Sequence, residues 1–325
     1  MLDEKILNIL KDRIGSYVSG EEMCESIGVS RTAIWKWIEK LRLEGYDIEA
    51  SPHLGYRLKS IPDSLIPIEI KWKLRTKILG KEIISYKKVS STNDVAYELA
   101  EKGMAEGTCI LAEEQTKGKG RHGRKWVSPQ NVGIYLSCIL RPNISPNEIP
   151  KFTLLAAVAV ARAVRELTAL DAMIKWPNDV VVNNKKICGI LTEMKGEQDR
   201  VSFIIIGIGV NVNTSMRDLP DTASSIKEEL RRMGASNALS RVELVKKILE
   251  TLEKYYYRMK KEGFRTIMEE WKNLTLMLGS RIKVILQNRT LEGQAHDIDS
   301  DGALVVRLDS GMLERVSSGD VVIIK

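Results

Sequence analysis

Strand-like runs and helical stripes alternate along the middle of this chain, and this alternation restricts the possible folds more than any other feature. Apolar residues repeat with a helical period in three segments, namely 92–101, 151–168 and 240–272. Short apolar runs typical of strands occupy five segments, namely 109–112, 133–140, 180–183, 187–194 and 201–212. Strands mixed with helices in one region predict an α/β or α+β core of about 200 residues.

The first 60 residues have a different pattern, with three helices followed by a hairpin. The first helix is predicted by an apolar stripe of Leu2, Ile6, Ile9 and Leu10. A second helix ends near Gly28, and Ser30 is placed to cap a third helix through Leu43. Two helices joined by a tight glycine-containing turn are typical of a helix-turn-helix, and alternation within 46–58 predicts a wing. The two prolines of IPDSLIP at 61–67 then indicate a linker.

The third helix of this unit is the candidate for contact with DNA. Its predicted inward face consists of Ile34, Trp37, Ile38 and Leu41. A recognition helix places its N-terminal residues at base edges, and nearby basic side chains contact phosphates. The predicted DNA-binding residues are Ser30, Arg31, Thr32, Trp35, Lys36, Lys40 and Arg57. Among these, Trp35 is expected to be partly buried. Residues 1–60 contain nine Lys or Arg and ten Asp or Glu, so a unit that serves only for packing stays an alternative.

From Leu278 onward the sequence contains short β-rich runs. The runs RIKVIL, LEGQAHDI, ALVVRL and DVVIIK are separated by turn-forming pairs, namely Asp301-Gly302, Ser310-Gly311 and Ser318-Gly319. This pattern of short strands and turns predicts a small all-β unit of about 50 residues in the form of a barrel.

Composition argues against several other classes of protein. The four cysteines contain no CxxC pair and the three histidines lie far apart, so neither a disulfide framework nor a structural metal site is predicted. The longest apolar stretch, 152–161, is too short to cross a bilayer, and the N-terminus is charged. We therefore expect a cytoplasmic protein that does not associate with membranes. The net charge of +7 is mild for 325 residues, so any anionic partner must be inferred from where the charges lie.

The stretch QTKGKGRHGRKW at 115–126 holds five Lys or Arg, one His and three Gly. It satisfies the G-x-G-x-x-G pattern, but turn and strand signals follow where a dinucleotide-binding fold requires a helix. Arg124 and Lys125 stand where a P-loop requires Lys and then Ser or Thr. Glycines let backbone N–H groups approach a ligand, and flanking cations suit phosphate or carboxylate. The stretch predicts an anion-binding loop, and a solvated basic loop is the alternative.

Two downstream stretches contain further candidates. Lys175 precedes Trp176-Pro177, so it is expected at the end of an extended segment, either on the surface or half-buried and aimed at an anion. Asn211 follows an apolar run, where it either bonds a base edge or caps a turn.

Four stretches occur in one order: SSTND at 90–94, EQTKGKGRHGRKW at 113–126, KWPND at 175–179 and GIGVNVN at 207–213. Together they resemble biotin protein ligases, and the N-terminal unit makes the chain similar to the bifunctional form that is also the biotin operon repressor. The resemblance covers essentially the whole chain. It implies a multidomain α+β fold with a winged helix-turn-helix at 1–63, a catalytic α/β domain related to class II aminoacyl-tRNA synthetases at 64–275, and an SH3-like barrel at 276–325.

The resemblance also implies an activity and partners. Biotin and ATP would be the substrates, Mg²⁺ the accompanying metal, and biotinyl-5′-AMP the intermediate. A lysine of a biotin carboxyl carrier protein would accept the biotin. A homodimer would bind the operator DNA of biotin genes, and the adenylate would promote dimerisation.

Residue roles follow from matching positions. The implied biotin-binding residues are Ser91, Thr92, Asn93, Gln115, Lys119, Gly120, Arg121 and Lys175. The implied ATP- and adenylate-binding residues are Arg121, Arg124, Trp126, Lys175 and Asn211. Lys175 and Arg121 are the implied catalytic residues, and no protein ligand to a metal is assigned. Lys119 and His122 stand where Arg is commonest in the family, which puts retention of the adenylate in question because Lys lacks the bidentate grip of Arg.

Three alternatives stay open on the sequence. The chain is either a bifunctional ligase and repressor, a ligase whose N-terminal unit has no DNA-binding function, or a repressor that senses a small acid without chemistry. A ligase for another acid, such as lipoate, is a further possibility.

Overall fold

The computed structural model describes residues 2–197, 199–235 and 239–324, and these divide into two compact units between Ser64 and Leu65. The first unit contains helices α1 (Leu2–Asp12), α2 (Gly20–Ile27) and α3 (Arg31–Leu43), followed by strands β1 (Asp47–Ser51) and β2 (Gly55–Ser60). Its strands pair antiparallel, which confirms the three helices and hairpin predicted from the sequence.

The turn between α2 and α3 depends on two local signals. Gly28 ends α2 in the left-handed conformation with φ 78°, and its N–H donates to the Cys24 carbonyl. Ser30 then begins α3, because its hydroxyl accepts from the Ala33 N–H at 3.2 Å. The predicted inward residues Ile34, Ile38 and Leu41 are buried in the core of this unit.

The second unit contains six helices and two sheets among the described residues. Its helices are α4 (Pro67–Lys71), α5 (Thr92–Glu101), α6 (Ile149–Leu167), α7 (Ile226–Arg232), α8 (Arg241–Glu262) and α9 (Arg265–Leu274). The strands of the larger sheet are β3 (Ile83–Tyr86), β4 (Cys109–Ala112), β5 (Gly133–Leu140), β6 (Met173–Lys175), β7 (Asp179–Val182), β8 (Lys185–Gly196) and β9 (Val201–Asn211). The strands of the smaller sheet are β10 (Arg281–Ile285), β11 (Thr290–Ile298), β12 (Leu304–Arg307), β13 (Leu313–Val316) and β14 (Asp320–Ile323).

The larger sheet has the order β3-β4-β5-β9-β8-β7-β6, and its neighbouring strands are antiparallel except for β3 and β4. The smaller sheet is antiparallel with the order β13-β12-β11-β10-β14. The predicted α+β fold with an all-β C-terminal part is therefore confirmed. The last residue of the predicted run DVVIIK lies outside the described residues.

Successive side chains along the central strands point to opposite faces of the larger sheet. On β9, Ile206, Ile208 and Val210 belong to the main hydrophobic core with α6 and α8. The intervening positions face the other way, where Ile205 packs with Ala96 of α5 and Gly207 and Gly209 line a cavity. Helices α6 and α8 thus cover one face, and α5 covers part of the other face beside the cavity.

The segment 240–272, predicted as one helical stretch, consists of two helices. Gly263 has φ 81° and follows the end of α8, so the chain turns before α9 begins at Arg265. In the part of the chain that the structure describes, no helix is both long and apolar enough to span a membrane.

Candidate active site and DNA-binding surface

A cavity of about 140 Å³ lies beside α5 on the face of the larger sheet opposite α6 and α8. Its floor is formed by glycines of β8 and β9, where Gly189 and Gly209 are register partners. A Cβ at Gly209 would lie 2.5 Å from the Trp126 ring, and one at Gly207 would lie 2.2 Å from Asn93 Oδ1. These positions must be glycine because the side chains that line the cavity rest directly on the strands.

One end of the cavity is a pocket of neutral polar groups. Gln115 Oε1 accepts from the Thr92 N–H at 2.8 Å and lies 3.1 Å from Thr92 Oγ1. The amide nitrogen of Gln115 donates to Ser128 Oγ at 2.9 Å. Ser137 Oγ lies within hydrogen-bond distance of both Thr92 Oγ1 and Asn93 Oδ1. Neutral donors and acceptors in this density suit an uncharged ligand with amide-like N–H and C=O groups.

The start of α5 positions this pocket. Ser91 is the N-cap residue of α5, and it is buried together with Thr92 and Asn93 of the first turn. The side-chain nitrogen of Asn93 donates to Glu193 Oε2 at 2.5 Å, which ties the helix to β8. The predicted residues Ser91, Thr92 and Asn93 are therefore brought together with Gln115 in the cavity.

The glycine-rich stretch folds back on itself as a short closed turn above the cavity. The Gly120 N–H donates to the Arg124 carbonyl at 2.7 Å, and the Trp126 N–H donates to the Gly118 carbonyl at 2.9 Å. A Cβ at Gly118 would lie 2.4 Å from the Trp126 carbonyl oxygen, so this approach requires glycine. The turn holds Lys119, Gly120, Arg121 and Arg124 along one wall of the cavity.

Cations of this turn are held by anchors at its two ends. Lys119 pairs with Asp94 of α5, and this hydrogen bond raises the pKa of Lys119. Arg124 forms a bidentate pair with Asp320 of β14, which raises the pKa of Arg124 and lowers the pKa of Asp320. The C-terminal sheet is thus bound directly to the glycine-rich turn.

Arg121 lies between these anchors and is largely enclosed. Its Nη1 donates to Asn178 Oδ1 at 3.3 Å and to the Gly319 carbonyl at 3.4 Å. Burial lowers the pKa of Arg121, yet guanidinium remains charged in proteins. A partly desolvated fixed cation interacts strongly with a developing anion.

A second half-buried cation in the cavity is Lys186, which the sequence did not single out. Its Nζ lies 2.6 Å from Asp179 Oδ1 and 5.4 Å from the centroid of the Trp126 ring. Trp126 itself rests on Gly189 and Gly209, and among the described residues its buried Nε1 is without a hydrogen-bond partner. Lys186 and Arg121 therefore provide two cations around the space above the glycine floor.

The prediction that Lys175 faces this cavity is not supported by its position. Lys175 ends the edge strand β6, and it lines a separate cleft, here called the edge cleft, with Val181, Asn184, Leu276, Met277, Val322 and Ile323. The expectation of an extended segment before Pro177 is confirmed, but the edge strand lies two strands from β8. Lys186 could have been found from its distance to the glycine floor. It precedes Gly189 by three residues, and Gly189 pairs with Gly209 on the neighbouring strand.

Asn211 lies at the end of β9, beyond the glycines of the floor. It is buried, and its side-chain nitrogen donates to the Ser224 carbonyl at 3.1 Å. It is not among the residues that line the cavity.

The candidate DNA-binding surface belongs to the first unit. Arg31, Thr32, Trp35 and Lys36 are all exposed on α3. Trp35 is 53 % exposed, so the expectation that it is partly buried was wrong. The reason is that Ile34 and Ile38 fill the inward face and leave no room there for the intervening ring.

Other predicted DNA contacts have roles inside this unit. Ser30 caps α3, and Lys40 lies 4.5 Å above the Trp37 ring. Arg57 on the hairpin pairs with Glu49 and stacks 4.7 Å from the Tyr17 ring centroid. The exposed first turns of α3 are therefore the strongest candidates for contact with DNA.

Comparisons with known proteins agree with this division. Residues 85–211 match the model of the biotin/lipoate A/B protein ligase family, residues 3–57 match an HTH domain, and residues 277–323 match the biotin protein ligase C-terminal domain. A solved biotin protein ligase from Aquifex aeolicus, in complex with biotin and ATP, is similar with a TM-score of 0.64 and 28% identity. It covers 75% of this chain and 100% of its own.

Two curated relatives span nearly the whole chain. The bifunctional ligase/repressor BirA of Bacillus subtilis is 38% identical over 98% of both chains. The protein of the same name from Escherichia coli is 29% identical over 94% of this chain and 93% of its own. The chain therefore belongs to the family of bifunctional biotin ligase/repressors.

Proposed function

We propose that this protein joins biotin to a lysine of a biotin carboxyl carrier protein through a biotinyl-5′-adenylate, and that it also represses transcription by binding operator DNA. One observation carries the enzymatic part. A single cavity runs from a neutral polar pocket, at Thr92 and Gln115, to a cationic space between Arg121 and Lys186. A ligand with an uncharged ring and a carboxylate fits this arrangement, with the ring in the polar pocket and the carboxylate beside the cations.

In the first step, the biotin carboxylate attacks the α-phosphorus of ATP, and the bond to the β-phosphate breaks to release pyrophosphate. Arg121 and Lys186 are assigned to the carboxylate and the α-phosphate, where they offset the negative charge that gathers in the transition state. Asp179 holds the Lys186 ammonium in place through their 2.6 Å pair, so it is a positioning residue. Lys186 thus takes the role that the sequence assigned to Lys175.

ATP occupies the other end of the cavity in this proposal. Arg124 is assigned to the triphosphate. The triphosphate would compete with the Asp320 carboxylate for the Arg124 guanidinium. Trp126 provides an apolar wall for the nucleotide, and Asn211, beyond Gly209, is kept as a candidate for reading the base. The closed turn at 118–126 shields the adenylate from water.

Mg²⁺ is proposed to enter with ATP rather than on a protein site. Among the described residues, no group of three or more His, Cys, Asp or Glu is arranged to hold a metal ion. The two carboxylates among the described residues that line the cavity, Asp179 and Asp320, are already paired with Lys186 and Arg124. Mg²⁺ usually keeps several waters and binds through substrate phosphates, which suits this arrangement.

Repression is assigned to the first unit, with α3 in the major groove. Helix-turn-helix proteins commonly bind two half-sites as dimers, so a homodimer is part of the proposal. Sedimentation of the protein with and without biotin and ATP tests it. A shift from monomer to dimer on adenylate formation supports the coupling, and a monomer under both conditions contradicts it.

We keep the boundaries 1–63, 64–275 and 276–325 as the proposed functional domains. The contact between Arg124 and Asp320 supports treating the last two as one catalytic body. A reducing compartment such as the cytoplasm suits the three buried cysteine thiols.

The decisive test of the enzymatic proposal is biotin-dependent exchange of labelled pyrophosphate into ATP, with lipoate as the matched control acid. Exchange with biotin and none with lipoate is the expected result. Exchange with lipoate alone contradicts the choice of acid. Biotin binding without any exchange contradicts the enzymatic proposal and favours a repressor that only senses the ligand.

A further inference from the structure

A second cleft opens beside the cavity and is distinct from the edge cleft. It lies between the beginning of α6, the turn after β6 and the C-terminal sheet, and we call it the side cleft. Its walls include Pro150, Thr153, Leu154, Trp176, Gly302 and Ser317. Trp176 fixes the junction because its Nε1 donates to the Gly302 carbonyl at 3.1 Å.

The side cleft lies directly beside the cavity. Arg121, Asn178, Ile190 and Leu191 line both spaces. The edge cleft, in contrast, shares none of its described lining residues with the cavity. Of the two clefts, only the side cleft adjoins the cationic centre, and Arg121 is the residue of the glycine-rich turn that it shares with the cavity.

We propose that the side cleft is the passage through which the acceptor lysine reaches the activated carboxyl group. This inference rests on the proposed ligase function, because it concerns the second step of that reaction. The adenylate fills the cavity, and the acceptor amine must reach its carbonyl carbon after pyrophosphate has left. The shared residue Arg121, assigned above to the carboxylate, lies where the two spaces meet.

The lining of the side cleft fits a lysine side chain. Pro150, Leu154 and Trp176 offer apolar walls for its methylene groups. Among its described lining residues none is acidic, and Arg121 contributes a positive charge. Desolvation and a nearby like charge both disfavour the ammonium form, so the passage favours the neutral amine that is the nucleophile.

The chemical step balances with the groups already present. The lysine nitrogen forms a bond to the carbonyl carbon, and the bond from that carbon to the phosphate oxygen breaks. AMP leaves with the electron pair, and the proton lost from the amine passes to solvent. Adenylation needs no acceptor, so the two half-reactions can be measured separately.

Ser317 offers a variant that blocks the passage without touching the core. It is exposed and lines the side cleft, whereas the neighbouring Ser318 is exposed and lines neither space. The experiment compares Ser317→Trp with Ser318→Trp in the full-length protein. Three rates are measured: pyrophosphate exchange, trapping of the adenylate by hydroxylamine, and transfer to a biotin carboxyl carrier domain.

We expect Ser317→Trp to lower transfer to the carrier domain by about tenfold or more, because the lysine loses its approach geometry. Exchange and hydroxylamine trapping should stay within about twofold of the wild type, as should all three rates in Ser318→Trp. Unchanged carrier transfer in Ser317→Trp overturns the assignment. An equal loss of all three rates in Ser317→Trp also overturns it, as does an equal loss of carrier transfer in Ser318→Trp. If the wild type itself shows no exchange, it is the proposed function that fails.

Discussion

At the scale of single residues, the catalytic assignment depends on which lysine meets the reacting groups. Lys186 lies over Trp126 inside the cavity, and Lys175 lines the edge cleft. We predict that Lys186→Ala lowers biotin-dependent pyrophosphate exchange by about 10²- to 10³-fold, since it removes a preorganised cation from the transition state. Lys175→Ala should stay within about threefold of the wild type. The reverse order of the two variants would contradict the assignment.

This choice could not be made from the sequence because it depends on strand order. Both lysines adjoin apolar residues, and each lies at one end of a segment that the sequence predicts to be extended. Only the pairing of β8 with β9, and the edge position of β6, separates them. By contrast, Thr92, Gln115 and Arg121 lie in stretches whose composition already indicated a ligand, and the structure brings them into one cavity.

At the scale of elements, an ion pair between Arg241 and Glu113 joins the start of α8 to the segment after β4. The two side chains are 2% and 14% exposed and lie 2.6 Å apart. We predict that Arg241→Leu destabilises the larger unit by about 3–5 kcal/mol, because it leaves the Glu113 carboxylate unpaired in the interior. Urea unfolding measures the loss. The control Arg265→Leu breaks an exposed pair with Glu269 and should cost under about 1 kcal/mol. Equal effects of the two variants would contradict the reasoning.

The hairpin of the first unit predicts a pH dependence. Hydrogen bonds from Arg57 and Lys59 lower the pKa of Glu49 from 4.5 to about 2. A lowered folded-state pKa stabilises the fold above the unfolded pKa, and the contribution is lost as the pH falls toward the folded value. The difference in urea midpoint between wild type and Glu49→Gln should therefore narrow from about pH 5 to about pH 3. A difference that stays constant or grows over this range would argue against the pairing.

The sequence predicted most elements because their signals are local. The segment 92–101 coincides with α5, and 109–112 and 133–140 coincide with β4 and β5. The break between α8 and α9 was missed, because the helical period of the apolar residues continues across Gly263. The helix is interrupted there by a single glycine with positive φ, and the spacing of apolar residues does not reveal such a residue.

At the scale of the whole molecule, we assign ligation and DNA binding to separate units. We predict that Arg31→Ala weakens binding to the promoter of biotin genes in a gel-retardation assay, and lowers its salt dependence if the lost contact is to phosphate. Pyrophosphate exchange should remain within about twofold of the wild type. The exposed Lys5 of α1 provides the control variant Lys5→Ala. Equal loss of both activities in Arg31→Ala would contradict the separation.

The order of units was predictable from changes in the pattern of apolar and turn-forming residues. The ion pair between the glycine-rich turn and the C-terminal sheet was not predictable. Arg124 and Asp320 are 196 positions apart, and each is an ordinary charged residue within its own segment. Such a pair becomes visible only when β14 is placed at the edge of its sheet beside the turn.

The most direct measurement is a crystal structure of the protein with a non-hydrolysable analogue of biotinyl-5′-adenylate. We predict the biotin ring between Thr92 and Gln115, the acyl phosphate between Arg121 and Lys186, and the nucleotide against Trp126. An analogue bound elsewhere, or with its phosphate beside Lys175 in the edge cleft, would contradict the proposed site.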